Sequence, residues 1–215
     1  NKKNTIGYRT NSDIKKEDSK KIGNRNIILL FKNRDYIFVL FISFLIFIPN
    51  IMIFTYLAPI IKSVGGNSTN LGYTLFFNAL SEAPVFFISK YFLIKYKTKF
   101  LLLFSASFYL IRIIIAAVAV SPVYFIFYGL LQSLSFGVYL VTVRYYIKMV
   151  APEGLKTTAQ SFAQMASFGG GGIVASLLGG YLIDNYGMNA MFITCIFFIS
   201  LAVVILLVSI MRNKT

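Results

Sequence analysis

Tyr36 to Ile61 reads YIFVLFISFLIFIPNIMIFTYLAPII, a run without one charged side chain. At about 1.5 Å of rise per residue, a helix of this length crosses the ~30 Å hydrocarbon core of a bilayer. A barrel strand would be only ~10 residues long and would alternate in polarity. Five more apolar runs follow, over 71–94, 100–119, 122–147, 158–183 and 189–210, and each predicts a spanning helix. Overall the chain is 57% hydrophobic and 13% charged over 215 residues, with a mean hydropathy of +0.73, which excludes a soluble domain of that size. The expected fold is all-α: a polytopic membrane protein with a six-helix bundle. The connections are short, so successive helices should be antiparallel neighbours.

A formal charge of +14 would suit a nucleic-acid binder, but the basic residues sit between the apolar runs. Ten Lys/Arg precede the first span. Lys90, Lys95, Lys97 and Lys99 surround the second connection, Arg144, Lys148 and Lys156 the fourth, and Arg212 and Lys214 follow the last span. Nineteen of the 21 basic residues therefore fit one topology, with both ends in the cytoplasm; Lys62 lies on the other side and Arg112 inside a span. The expected organisation is a basic cytoplasmic loop or tail over 1–34, a six-helix domain over 35–211 and a short cytoplasmic tail over 212–215, in the cell membrane. Asn1 to Asn26 is polar and lysine-rich, with no apolar core and no initiator Met, so it reads as an internal loop and not as a signal peptide. The chain is accordingly expected to begin partway through a longer protein. The expected surroundings are the lipid bilayer, with no nucleic acid.

Soluble-enzyme constellations are missing. The chain has no histidine, only seven acidic residues and one cysteine, Cys195, inside an apolar run. No disulfide can form within the chain, no metal-ligand spacing occurs, and no cofactor, metal or catalytic residue is expected. Any proton chemistry falls to carboxylates. Gly169-Gly170-Gly171-Gly172 lacks the Lys-Ser/Thr ending of a phosphate loop and is expected to be a close-packing or flexible point, as is Gly179-Gly180.

Polar residues inside the spans are the candidate site. Glu82, in Asn78-Ala79-Leu80-Ser81-Glu82-Ala83-Pro84, is close to mid-bilayer and should face the bundle interior or a water-filled cavity, be protonated or have a cationic partner, in a transport role or in a helix-packing hydrogen bond beside the Pro84 break. Arg112 reaches a similar depth from the opposite direction, so the two are expected to be able to pair. Gln132, Ser135 and Tyr139 follow i, i+3, i+7 spacing on one helical face beside Gly129 and Gly137. That face either lines a polar cavity or makes interhelical hydrogen bonds, with the glycines allowing close approach. Asn50 beside Pro49, Asn78 one turn before Glu82, and Gln164 one turn after Gln160 complete the set.

Several segments together resemble the C-terminal half, helices seven to twelve, of a major facilitator superfamily transporter. Leu30-Phe31-Lys32-Asn33-Arg34-Asp35-Tyr36 resembles the start of that family's seventh helix, and Gly179-Gly180-Tyr181-Leu182-Ile183-Asp184-Asn185-Tyr186-Gly187 its ending of helix eleven. Ser89 to Lys99 is similar to a degraded form of the basic loop between helices eight and nine, without the usual glycines and aspartate. Leu71-Gly72-Tyr73, the run from Glu82 to Phe87, and Ile111-Arg112-Ile113-Ile114 look closest to the proton symporter branch that includes lactose permease and the nucleoside and phenylpropionate carriers. In that branch Glu82 and Arg112 match polar positions of helices eight and nine. The histidine and glutamate that lactose permease carries in helix ten are replaced by Gln132 and Ser135, so its proton relay does not carry over.

The resemblance implies a secondary transporter, coupled to protons, for a small organic solute such as a sugar, nucleoside or aromatic acid. It also implies a facing N-terminal six-helix half or, for a half-size protein, a second copy. A drug or metabolite efflux carrier is the alternative within transport, and a non-transporting receptor or scaffold the alternative outside it.

Overall fold

A computed structural model describes residues 29–212; the basic tail before Leu29 and the last three residues, including Lys214, lie outside the described residues. Among the described residues six helices are long and apolar enough to cross a membrane: α1 Arg34–Thr55, α2 Ser68–Lys95, α3 Thr98–Ala117, α4 Tyr124–Val150, α5 Lys156–Tyr186 and α6 Met188–Arg212. Each coincides with one of the apolar runs, and the ends differ by a few residues.

Helix starts follow local chemistry. The Asn33 Oδ1 accepts from the backbone N–H groups of Asp35 and Tyr36 at 2.9 and 3.2 Å, which caps α1. Before α2, Asn67 and Asn70 cap one another reciprocally: the Asn67 side chain accepts from the Asn70 N–H, and the Asn70 side chain accepts from the Asn67 N–H. Gly187 takes φ of +81° between α5 and α6, a conformation that other residues rarely adopt.

One expected helix is interrupted. The first run does not continue to Ile61 as a single span; α1 stops at Thr55, the backbone departs from helical geometry at Tyr56, and a short helix resumes over Leu57–Ser63. Pro59 explains the position, because its ring has no N–H for the Thr55 carbonyl one turn earlier.

The bundle alternates up and down. At the end that carries Arg34 and Arg212, the Asn33 side-chain amide donates to the Val150 carbonyl at 2.9 Å. There too the Tyr36 hydroxyl donates to the Ala159 carbonyl at 2.9 Å, and the Lys99 ammonium to the Ser209 hydroxyl at 3.0 Å. At the opposite end, Ser63 meets Met188. Helix α1 packs on α4, α5 and α6, α3 packs on α4 and α6, and α2 rests chiefly on α4. One closely packed seam lies between α1 and α6. Cys195, Ile199, Ala202 and Leu206 form one fully covered face of α6, and the Cys195 sulfur lies 3.5 Å from the Met52 sulfur of α1. In lipid such seams are held by shape, since the tails are as apolar as the side chains. Helices α2 and α5 keep most of their surface outside the core, and the open side of the site lies between them.

Candidate functional site

The geometry begins with two glycines of α4. A Cβ at Gly129 would come within 3.0 Å of the Thr74 carbonyl oxygen and 3.1 Å of the Phe77 Cβ, so α2 passes here with its backbone against α4. Gly137 meets Val85 at ordinary contact distance farther along. The Ser81 hydroxyl ties the crossing by donating to the Gly129 carbonyl at 3.1 Å. This approach sets Glu82 opposite Gln132, whose amide N–H donates to the carboxylate at 2.7 Å.

Arg112 of α3 lies deeper and is 2% exposed. Its Nε donates to the Tyr128 carbonyl at 3.0 Å and its Nη1 to the Ser135 hydroxyl at 2.9 Å. The guanidinium also lies 3.9 Å from the centre of the Tyr128 ring, a cation–π arrangement. The ion pair expected between Glu82 and Arg112 is not made. Gln132 occupies the carboxylate, while a carbonyl, a hydroxyl and an aromatic face hold the arginine in its place.

These groups line a cavity of about 430 Å³, within the usual range for small-molecule sites. Asn50, Asn78, Glu82, Arg112, Tyr128 and Gln132 supply its polar lining, and Phe47, Phe54, Phe136 and Phe168 its aromatic walls. Phe54, Leu75 and Phe168 are exposed at the mouth, whereas Asn78 and Arg112 are buried at the back. The Asn78 Oδ1 has no hydrogen-bond partner among the described residues. Glu82 is the one carboxylate among the residues lining the cavity.

The sequence-predicted set thus divides. Asn50, Asn78, Glu82, Arg112 and Gln132 share the cavity, and Ser135 stands behind it as the acceptor for Arg112. Tyr139 and Gln164 line a separate narrow crevice of about 30 Å³, with Phe47 between the two spaces. The expected single face of Gln132, Ser135 and Tyr139 is therefore split. The reason is a wide π-helical turn over Ser133–Gly137, whose i→i+5 bonding advances the backbone by an extra residue and rotates Tyr139 away from Gln132. A second such turn, Met165–Gly170, interrupts α5 and carries Phe168 to the mouth.

The glycines of α5 also divide. A Cβ at Gly169 or Gly170 would meet nothing within 4 Å, whereas one at Gly171 or Gly172 would reach Phe44 and Ile51 of α1 at ordinary contact distances of 3.9 and 3.6 Å, so only the second half of the four-glycine run packs within this bundle. Close packing falls at Gly179 and Gly180, where added Cβ atoms would come within 2.6 Å of the Tyr56 ring and 2.9 Å of its hydroxyl. That hydroxyl donates to the Ser176 carbonyl at 2.8 Å and pins the broken end of α1 to α5.

Periodicity alone did not single out Tyr128 or the four phenylalanines of the cavity. Tyr128 carried a signal, since it precedes Gln132 by one helical turn. The phenylalanines did not, because lipid-facing and cavity-facing rings look alike in a chain with 22 of them.

Six spanning helices around a half-open polar cavity define an all-α, multi-pass membrane bundle. The chain belongs to the MFS_1-like family, which matches residues 2–194. It is similar to a maltose permease of Geobacillus stearothermophilus, 27% identical over 187 residues, which cover 86% of this chain and 47% of that protein. It is also similar to the uncharacterized transporter YwbF of Bacillus subtilis strain 168, 24% identical over 166 residues, covering 76% of this chain and 41% of that protein. The chain spans about half the length, or less, of the curated relatives it matches.

Proposed function

We propose that this chain forms one wall of a proton-coupled carrier that takes up a small organic solute, a sugar before a nucleoside or an aromatic acid. The observation that carries the reading is the Glu82–Gln132 bond at the wall of a cavity with Arg112 at its back. A sugar needs many hydrogen-bonding groups at fixed positions and apolar faces for its C–H surfaces. Amides, a carboxylate and phenylalanine rings line this cavity together. The name of the maltose permease relative points the same way. An anionic solute is less favoured, because Arg112 is already engaged by Tyr128 and Ser135.

In this reading a second six-helix unit, from the rest of a longer chain or from a second copy, closes the open side between α2 and α5. Solute then binds between the units, and access alternates as one rocks against the other. A proton on Glu82 neutralises the carboxylate and weakens the bond from Gln132, so protonation and solute compete or cooperate for the same groups. The basic ends of the helices, by the charge asymmetry of the loops, face the cytoplasm, and the protein resides in the cell membrane.

Uptake by the full-length protein in proteoliposomes, with an imposed pH gradient and a panel of labelled sugars, tests the proposal. Glu82→Gln keeps the shape and removes the titration. It is expected to lower gradient-driven uptake by roughly 10-fold or more, because an amide takes up no proton and holds the Gln132 N–H more weakly than a carboxylate does. Unchanged uptake with unchanged pH dependence would remove Glu82 as the proton carrier. Extrusion against the gradient would favour the efflux reading, and no transport of any solute the scaffold reading.

A further inference from the structure

The basic connection between α2 and α3 plays no part in the mid-depth cavity, yet it has a cavity of its own. About 500 Å³ of space is enclosed by residues 93–100 together with Tyr145, Met149 and Ile210, at the end of the bundle that carries Arg34 and Arg212. Three lysines border it. The Lys95 ammonium lies 5.5 Å from the centre of the Tyr96 ring, and Tyr96 stacks on Phe100 at 6.0 Å. Lys99 is held between the Phe38 ring, at 5.1 Å, and the Ser209 hydroxyl, while Lys97 is exposed. Among the described residues no carboxylate lies within ion-pair distance of any of the three.

The backbone adds to this charge. Helix α3 starts at Thr98, and Lys97 before it makes no side-chain capping bond; its carbonyl takes the N–H groups of Phe100 and Leu101, which leaves those of Thr98 and Lys99 open beside the lysines. An uncapped N-terminus carries partial positive charge and free donors, which suits a phosphate group. Beside the lysines part of the lining is apolar. Ile94 is 72% exposed and Met149 63%, and Phe100 faces the same space. A polar phosphate pocket that continues into exposed aliphatic surface at a helix end has the chemistry of a lipid at the bilayer boundary, with its headgroup above and its acyl chain below.

We propose that this pocket binds an anionic phospholipid, with the phosphate held by Lys95, Lys97 and the α3 N-terminus and one acyl chain lying along Ile94 and Phe100. Lys99, tethered to Ser209, supplies fixed charge at the rim. The proposal is independent of what the carrier transports.

Native mass spectrometry of the full-length protein in mild detergent tests it, with phosphatidylglycerol, phosphatidylcholine of the same acyl chains and inorganic phosphate as probes. Phosphatidylglycerol is expected to bind roughly tenfold more tightly than phosphatidylcholine, and K95Q/K97Q/K99Q to remove that preference while K95R/K97R/K99R retains it. An unchanged preference in the glutamine variant would overturn the site. Inorganic phosphate that displaces the lipid at comparable concentration would overturn the lipid as its ligand. A photoactivatable phosphatidylglycerol on the unmutated protein covers a variant that fails to fold: crosslinks within residues 93–100 support the pocket, and crosslinks confined elsewhere overturn it.

Discussion

Glycine does opposite things at the two ends of α5. Near Tyr186, Gly179 and Gly180 are filled by the Tyr56 ring, whose hydroxyl fastens α1 to the Ser176 carbonyl. Two to three turns earlier, Gly169 and Gly170 face open space beside the cavity mouth, where Phe168 is exposed. The α4 glycines behave like the first pair, since Gly129 admits the backbone of α2. A glycine in a spanning helix therefore marks a contact already made within the bundle or a surface left free, and only the neighbours distinguish the two. In this chain Gly129 lets two walls of the site meet, and Gly169 and Gly170 lie beside Phe168 at its opening.

Substitutions break or sharpen that contrast in a graded order. Gly179→Leu should have the largest effect, because even its Cβ would lie 2.6 Å from the Tyr56 ring and 2.9 Å from the Met52 Cγ. A fall of several degrees in the melting temperature of the detergent-solubilised full-length protein, or loss of a monodisperse species, is expected. Gly129→Ala should come next. Its Cβ meets backbone at 3.0 Å, so α2 must shift by a few tenths of an ångström, at an overpacking cost of about 1–3 kcal/mol. The same melting measurement reads that cost, and a variant as stable as the parent would show that the α2–α4 crossing is looser than described. Gly170→Ala should be the mildest. Its backbone is already helical, with φ −62° and ψ −50°, and its Cβ meets nothing. Stability should stay level or rise by up to about 1 kcal/mol from the removed chain flexibility. A marked fall in melting temperature would mean that this face is occupied in the full-length protein.

Much of the architecture was legible in the chain because a bilayer imposes a length and a polarity on each span. The six apolar runs and their flanking lysines located the helices to within a few residues. Five of the candidate polar residues also meet in one cavity, since a polar group at mid-depth has few places to go except inward. The partners were not legible. Glu82 and Arg112 share a depth, but depth does not say which neighbour a side chain meets. The π-helical turn at Ser133–Gly137 carries no periodic signal in a helix apolar nearly all round. The break at Tyr56 was hidden for a related reason: Pro59 stands in an apolar run that hydropathy reads as continuous.

Cys195 is the one thiol in this chain, and it is fully covered at the seam of α1 and α6, against the Met52 sulfur. An alkylating reagent must reach the sulfur, and it can do so only while α6 has parted from the helices packed around it. The labelling rate of this atom is therefore a clock for the opening of the bundle around α6, built into the native sequence and readable without a fluorophore.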